Sequence, residues 1–375
     1  MRSFRIIPAL AALLTASPAS AAPRPRSVDL RHLTWSDQTA SAVIPERGSL
    51  RLTLDPRLQH RAEQLLAAAA PHEGAIVVAD VRTGRILVWA SRGSADFVAT
   101  PFAPSASVFK VVTATTLLEK GKVTFETRRC WEGGEHSIEP RDLVDHPGPE
   151  TQCAPFGHAL GRSINLVFAR LASRELSAAD LRAQAALLGF AGEVPIDVPV
   201  RAAELHIQDD PLGVARGAAG FWNGRVSPLG PLFAMHTIAN GGERVRLTVL
   251  DESARVSDGR AMTEATARTL RRMLEVTTRS GTSAAVFRDG AGARVFRSTS
   301  VAGKTGTLVG GTPMRMYSWF AGFAPASRPE IAVSVMLAND LKWREKANEV
   351  ARDFLEAYFG PTAVASRSGT GQRRR

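Results

Sequence analysis

Ser300-Val301-Ala302-Gly303-Lys304-Thr305-Gly306-Thr307-Leu308 is the stretch on which the architecture turns. It reads as a β-strand that carries a lysine and two hydroxyls. Downstream, Tyr317–Ala324 and Ile331–Leu337 read as two more strands. A closing amphipathic helix is expected from about Arg344 to Tyr358, with Ala347, Val350, Ala351, Phe354, Leu355 and Tyr358 inward. Upstream the pattern changes: residues 155–275 are mainly helical, broken at Gly189, Pro211, Pro228 and Gly241-Gly242. Before them a helix starts at about Ser107 and stops at Gly121, with Val108, Val111, Val112, Thr115 and Leu118 on one face. Earlier still, Ala75–Val81 and Arg85–Ser91 read as a hairpin around Arg82-Thr83-Gly84, preceded by a helix that Asp55-Pro56 opens. Strands from both ends of the chain must therefore meet in one sheet. The middle, about residues 100–275, becomes a helical subdomain, and the cleft between the two is the natural place for chemistry.

Composition narrows the class. The chain has 375 residues, of which 44% are hydrophobic and 22% charged, as a globular protein with a sizeable core requires. No apolar run reaches the roughly 18–20 residues that span a bilayer. The formal charge is +11 with only six lysines. The arginines are scattered and no nucleic-acid motif is present, so nucleic acid is not expected as a partner. Residues 1–21 have the anatomy of a secretory signal: Arg2 and Arg5, then the apolar stretch Ile6–Thr15, then Ala19-Ser20-Ala21. Export to the periplasm or the outer face of the cytoplasmic membrane follows. Residues 22–48 are Pro- and Ser-bearing and read as a linker, 49–360 as one domain, and 361–375 as a disordered basic tail.

Outside the cytoplasm, Cys130 and Cys153 are expected to form a disulfide, which would stabilise by about 3 kcal/mol on the loop-entropy view. His136 and His146 lie between them, so a Cys2His2 zinc site stays open, although the spacing matches no standard zinc pattern.

Three short motifs carry the chemistry. Ser107-Val108-Phe109-Lys110 puts a hydroxyl and an amine one helical turn apart. A serine is a weak nucleophile without a base in reach, and a lysine serves as base only where burial or a neighbouring cation keeps it neutral. Free N–H groups at a helix start also favour negative charge developing there. Ser163-Ile164-Asn165 adds a hydroxyl that can shuttle a proton and an amide that can hold both lysine and substrate. Lys304-Thr305-Gly306-Thr307 offers positive charge and hydroxyls for a carboxylate, while the bare backbone of Gly306 lets substrate lie along the strand edge. Each motif occurs once. Composition alone yields all three with a chance of about 0.005, before order and spacing are required.

With these motifs the chain closely resembles the penicillin-binding protein transpeptidases, of the serine superfamily shared with β-lactamases. Leu52–Gln59, Ala75–Ser91, Val226-Ser227-Pro228-Leu229, Ile238–Gly242, Ser280-Gly281-Thr282 and Trp319–Pro325 extend the likeness over about residues 49–360. The resemblance implies an α+β fold: a central antiparallel five-stranded sheet flanked by helices, with an inserted, mainly helical subdomain. It implies a D,D-transpeptidase of peptidoglycan stem peptides that is acylated by β-lactams. In that reading Ser107 attacks the D-Ala-D-Ala carbonyl, Lys110 is the base and Ser163 relays a proton to the leaving amine. Asn165 orients substrate, while Lys304, Thr305, Gly306 and Thr307 bind it; the N–H groups of Ser107 and Thr307 form the oxyanion hole. No metal or organic cofactor is required, and cell-wall synthesis proteins are the implied partners. One departure stands beside the nucleophile: Ala103-Pro104-Ser105-Ala106 lacks the glycine the family often carries there.

Other readings are weaker. A β-lactamase needs a deacylating base, and no Glu-x-x-Leu-Asn segment of the class A kind is present. A D,D-carboxypeptidase shares every residue named. A non-catalytic muropeptide-binding sensor or scaffold predicts decay of Ser107, Lys110 or Lys304, and all three are intact.

Overall fold

In the computed structural model the described residues are 28–360, apart from 37, 46, 134–136, 145–150, 222 and 297. The expected signal segment, the basic tail, and both His136 and His146 therefore lie outside the described residues. Strands β1 (Thr34–Trp35), β2 (Ala40–Ile44) and β3 (Gly48–Leu52) form a small antiparallel sheet. The linker assignment is thereby corrected for Thr34–Trp35, Ala40–Ile44 and Gly48. Ala40, Ala42 and Ile44 alternate inward and are buried, but small residues on both faces of Ala40–Ile44 hide the period-two signal.

Helix α1 (Pro56–Ala69) starts where expected, because the Asp55 carboxylate accepts from the Arg57 and Leu58 amides. Strands β4 (Glu73–Asp80) and β5 (Ile86–Arg92) pair as the predicted hairpin. A 3-10 turn, Ala106–Phe109, leads into α2 (Lys110–Glu119), so the α-helix itself begins three residues later than the sequence suggests. Next come β6 (Arg128–Trp131) and β7 (Gln152–Pro155), paired so that Cys130 faces Cys153 and joined by their disulfide. Helices α3 (Phe156–Gly161), α4 (Asn165–Glu175) and α5 (Ala178–Leu187) follow. The middle is less uniformly helical than expected. Strand β8 (Glu204–Leu205) pairs with β9 (Gly224–Arg225) around α6 (Pro211–Ala219). After α7 (Leu229–Ala239), β10 (Glu243–Val245) pairs with β11 (Ser257–Arg260) ahead of α8 (Glu264–Arg279).

Strands β12 (Ala302–Gly310), β13 (Arg315–Ala324) and β14 (Ile331–Asn339) then complete a five-stranded antiparallel sheet in the order β12-β13-β14-β4-β5. The α+β expectation holds, and β14 against β4 is the join between the two ends of the chain. Composition explains the order. Ile331–Asn339 is buried along its whole length, so it must be interior with both faces covered. One face packs on the helical part; α1 and the closing helix α9 (Ala347–Phe359) cover the other. β12, with its lysine, threonines and glycines, takes the edge, where an unpaired backbone faces the cleft.

Candidate active site

Ser107 sits in the 3-10 turn, partly exposed, and Lys110 begins α2 with its side chain wholly buried. The one-turn spacing brings Lys110 Nζ to 2.7 Å from Ser107 Oγ. Two more groups converge on the same nitrogen: Asn165 Oδ1 and the Ala219 carbonyl oxygen, each at 2.7 Å. The carbonyl and amide oxygens can only accept, so the amine donates to both. Its remaining direction points to a hydroxyl, which can donate or accept. A neutral amine fits this cage without a mismatch, with its lone pair on the Ser107 proton. Burial first, and the charge of Lys304 second, hold Lys110 well below the ordinary lysine value.

Lys304 projects from β12 and is also fully buried; its Nζ donates to Ser163 Oγ at 3.0 Å and to the Thr305 carbonyl at 2.7 Å. Burial brings its pKa down to about 7. Ser163 reaches this position through an unusual backbone. It stands at φ 60°, where the Ser163 amide bonds Leu160 O and the Ile164 amide bonds Ala159 O. That is the left-handed stop of α3, usually a glycine's place. A serine there costs about 1–2 kcal/mol, and the bond between its hydroxyl and Lys304 depends on that conformation.

Strand alternation separates the remaining groups. Gly306 shares the Lys304 face, toward the nucleophile turn, while Thr305 and Thr307 project to the opposite side. Thr305 Oγ1 lies 2.5 Å from Thr282 Oγ1, and Thr307 is exposed. The ammonium and the two threonine hydroxyls are thus not side by side; they share only the strand edge. Gly306 has a different role from the one read in the sequence. A Cβ there would come within 3.2 Å of Ala106 Cβ and Val108 Cγ2 and 3.4 Å of Ser107 N, so the bare backbone lets the nucleophile turn pack directly on β12.

The Ser107, Lys110, Ser163, Asn165 and Lys304–Thr307 positions therefore meet at one site. The sequence missed four supports. The Ala219 carbonyl carries no side-chain signal. Thr282 appears only inside a longer likeness. Trp319 Nε1 donates to Pro104 O at 2.9 Å, and Ser105 Oγ donates to Asn223 Oδ1 at 2.9 Å; both bonds link residues more than 100 positions apart. The Cys130–Cys153 bridge removes the two thiolates that the zinc alternative needs.

A partly exposed serine on a buried amine, beside an open strand edge, is a centre suited to acyl transfer of the Ser–Lys kind. The family model for the penicillin-binding protein transpeptidase domain matches residues 74–356. The chain therefore belongs to the penicillin-binding protein transpeptidase family. It is 24% identical over 355 residues to the peptidoglycan D,D-transpeptidase PbpA of Mycobacterium tuberculosis, covering 79% of this chain and 68% of that protein. Solved structures share the fold. Penicillin-binding protein A of M. tuberculosis, as its penicillin G acyl-enzyme complex, superposes with a TM-score of 0.66 at 20% identity, covering 83% of this chain and 80% of that one. The D,D-transpeptidase domain of a peptidoglycan glycosyltransferase from Eggerthella lenta gives 0.68 at 22% identity, covering 85% and 89%.

Proposed function

We propose that the chain is a peptidoglycan D,D-transpeptidase acting through a serine acyl-enzyme. The carrying observation is the 2.7 Å approach of a buried amine to Ser107 Oγ, with its two other acceptors already in place. In the reaction Lys110 takes the Ser107 proton as Oγ bonds to the penultimate D-Ala carbonyl carbon. Negative charge collects on the carbonyl oxygen near the Ser107 and Thr307 amides. The C–N bond then breaks, and the departing D-alanine takes a proton from the Ser163 hydroxyl, which Lys304 replenishes. An acceptor amine reverses these transfers: it attacks the ester carbon, loses its proton toward Ser163 and Lys304, and Lys110 returns a proton to Ser107. The substrate carboxylate meets the Thr305 and Thr307 hydroxyls at the strand edge, with the charge of Lys304 behind Ser163. A bound carboxylate favours the protonated form of Lys304 and so raises its pKa. The penicillin G acyl-enzyme of the related M. tuberculosis protein supports the same fate for Ser107 with β-lactams.

No described helix is long and apolar enough to cross a membrane. The basic and apolar start of the sequence, together with a disulfide, supports action outside the cytoplasm.

A fluorescent penicillin should label the protein stably, and Ser107→Ala should abolish the label. Rapid turnover of the drug would instead make the protein a β-lactamase, and no label on the folded wild type would make it a non-catalytic binder. With a D-Ala-D-Ala peptide, cross-linked product on addition of an acceptor amine supports the transpeptidase. Release of D-alanine alone, with no cross-linked product, makes it a carboxypeptidase.

A further inference from the structure

The described residues of 217–226 meet the nucleophile segment, residues 103–113, at five points. The Val226 amide bonds Ala103 O at 2.9 Å, and Ser105 Oγ donates to Asn223 Oδ1 at 2.9 Å. Lys110 and Thr113 donate to the Ala219 and Ala218 carbonyls at 2.7 and 2.8 Å. At Gly220, which has φ 91°, any Cβ would fall 2.0 Å from Ala106 O, so backbone lies directly on backbone. From the other side Trp319 holds Pro104 O. Between these fixed points stands Ala106 at φ 47°, a left-handed alanine immediately before Ser107. An alanine does not rest there by preference; its surroundings must hold it.

The side chain best placed to do so is Asn223. It is 2% exposed, its Oδ1 accepts from the Ser105 hydroxyl, and its Nδ2 donates to Gly217 O at 3.1 Å, which ties the turn to the end of α6. The same end of α6 presents the Ala219 carbonyl to Lys110. We propose that Asn223 is a positioning residue for Ser107. It keeps Ala106 left-handed, so that the Ser107 hydroxyl stays on the Lys110 amine and the Ser107 amide stays against β12. Asn223 touches no reacting atom. The assignment rests on the acyl-transfer reading of Ser107.

The test measures the rate of acylation by a fluorescent penicillin, together with the fraction of protein finally labelled. Asn223→Ala should slow acylation about tenfold, the cost of one buried hydrogen bond, while nearly every molecule still labels at long times. Glycine populates positive φ freely, so Ala106→Gly alone should change the rate by less than about twofold. In the double variant it should recover most of the lost rate. General loosening of the fold would not be rescued in this way. A wild-type rate in Asn223→Ala, or a double variant as slow as Asn223→Ala, overturns the proposal. Should Asn223→Ala lower the labelled fraction instead, Ser105→Ala decides, because it removes the same bond and leaves the Asn223–Gly217 bond in place. Tenfold slowing supports the assignment, and a wild-type rate refutes it. Failure of the wild type itself to label would refute the acyl-transfer reading instead.

Discussion

Two lysines meet at the site, one from a helix and one from a strand, and the oxygens around them differ in number. Both are wholly buried. Lys110, on the helical side, has three oxygens around Nζ: the Ser107 hydroxyl, the Asn165 amide and the Ala219 carbonyl. Lys304, on the sheet side, donates to one carbonyl and one hydroxyl, and it titrates at about 7. The difference follows partly from order of charge: Lys304 pushes Lys110 further down, while burial is what lowers Lys304. The helix thus carries the amine that bonds Ser107, and the strand carries the amine whose pKa burial brings down to about 7.

Removing each amine in turn separates their contributions. Lys110→Ala should lower the acylation rate constant by about a thousandfold, the scale of losing a positioned base. Its fold should survive, because a buried ionisable group is removed. Retention of more than a tenth of the rate would mean that another group takes the Ser107 proton. Lys304→Met should reduce acylation efficiency about tenfold to a hundredfold, mostly through weaker binding of a carboxylate-bearing β-lactam. A loss confined to the saturated rate would instead place Lys304 in proton transfer alone.

The same Lys304 variant sharpens the contrast through stability. The folded pKa of Lys304 lies below its unfolded value, so between about pH 7 and 10.5 the unfolded chain binds more protons, and wild-type stability rises with pH. Lys304→Met should therefore melt a few degrees higher than wild type at pH 7, with the gap closing toward pH 10.5. A gap independent of pH would mean that folding leaves the proton affinity of Lys304 unchanged, against what its burial requires.

The smallest effect is the pH profile. The saturated acylation rate should climb with pH through the lowered pKa of Lys110, because the base works when neutral, and fall again where the carboxylate-bound Lys304 loses the proton that replenishes Ser163. Binding of a carboxylate-bearing donor should weaken as pH rises past about 7, because Lys304 then loses its charge. Stopped-flow acylation across this range separates the two limbs. A binding constant flat from pH 6 to 9 would remove Lys304 from carboxylate recognition.

Much of the frame was legible in the sequence because its causes are local. Asp55-Pro56 carries its own cap, the β4–β5 hairpin has its turn residues, and Ile331–Leu337 is apolar enough to read as a strand. The residues of the site were legible too, since hydroxyl, amine and amide gathered in three short motifs point together to acyl transfer. What was not legible depends on distant partners. Thr34–Trp35 and Ala40–Ile44 became strands only because β3 and its neighbours complete their pairing. Gly306 was read as room for substrate, yet the space admits Ala106 and Val108 from a segment about 200 positions away.

By itself the sequence determined which groups could react and the main helices and the strands of the central sheet, because side-chain chemistry and hydrophobic period belong to the residues themselves. Only the tertiary structure decided that the Lys110 amine is held well below the ordinary lysine value, that Ser163 turns to Lys304, and that Ser107 stands in a strained turn. Those properties come from burial, from backbone carbonyls such as that of Ala219, and from close backbone approach, none of which any single stretch of residues contains.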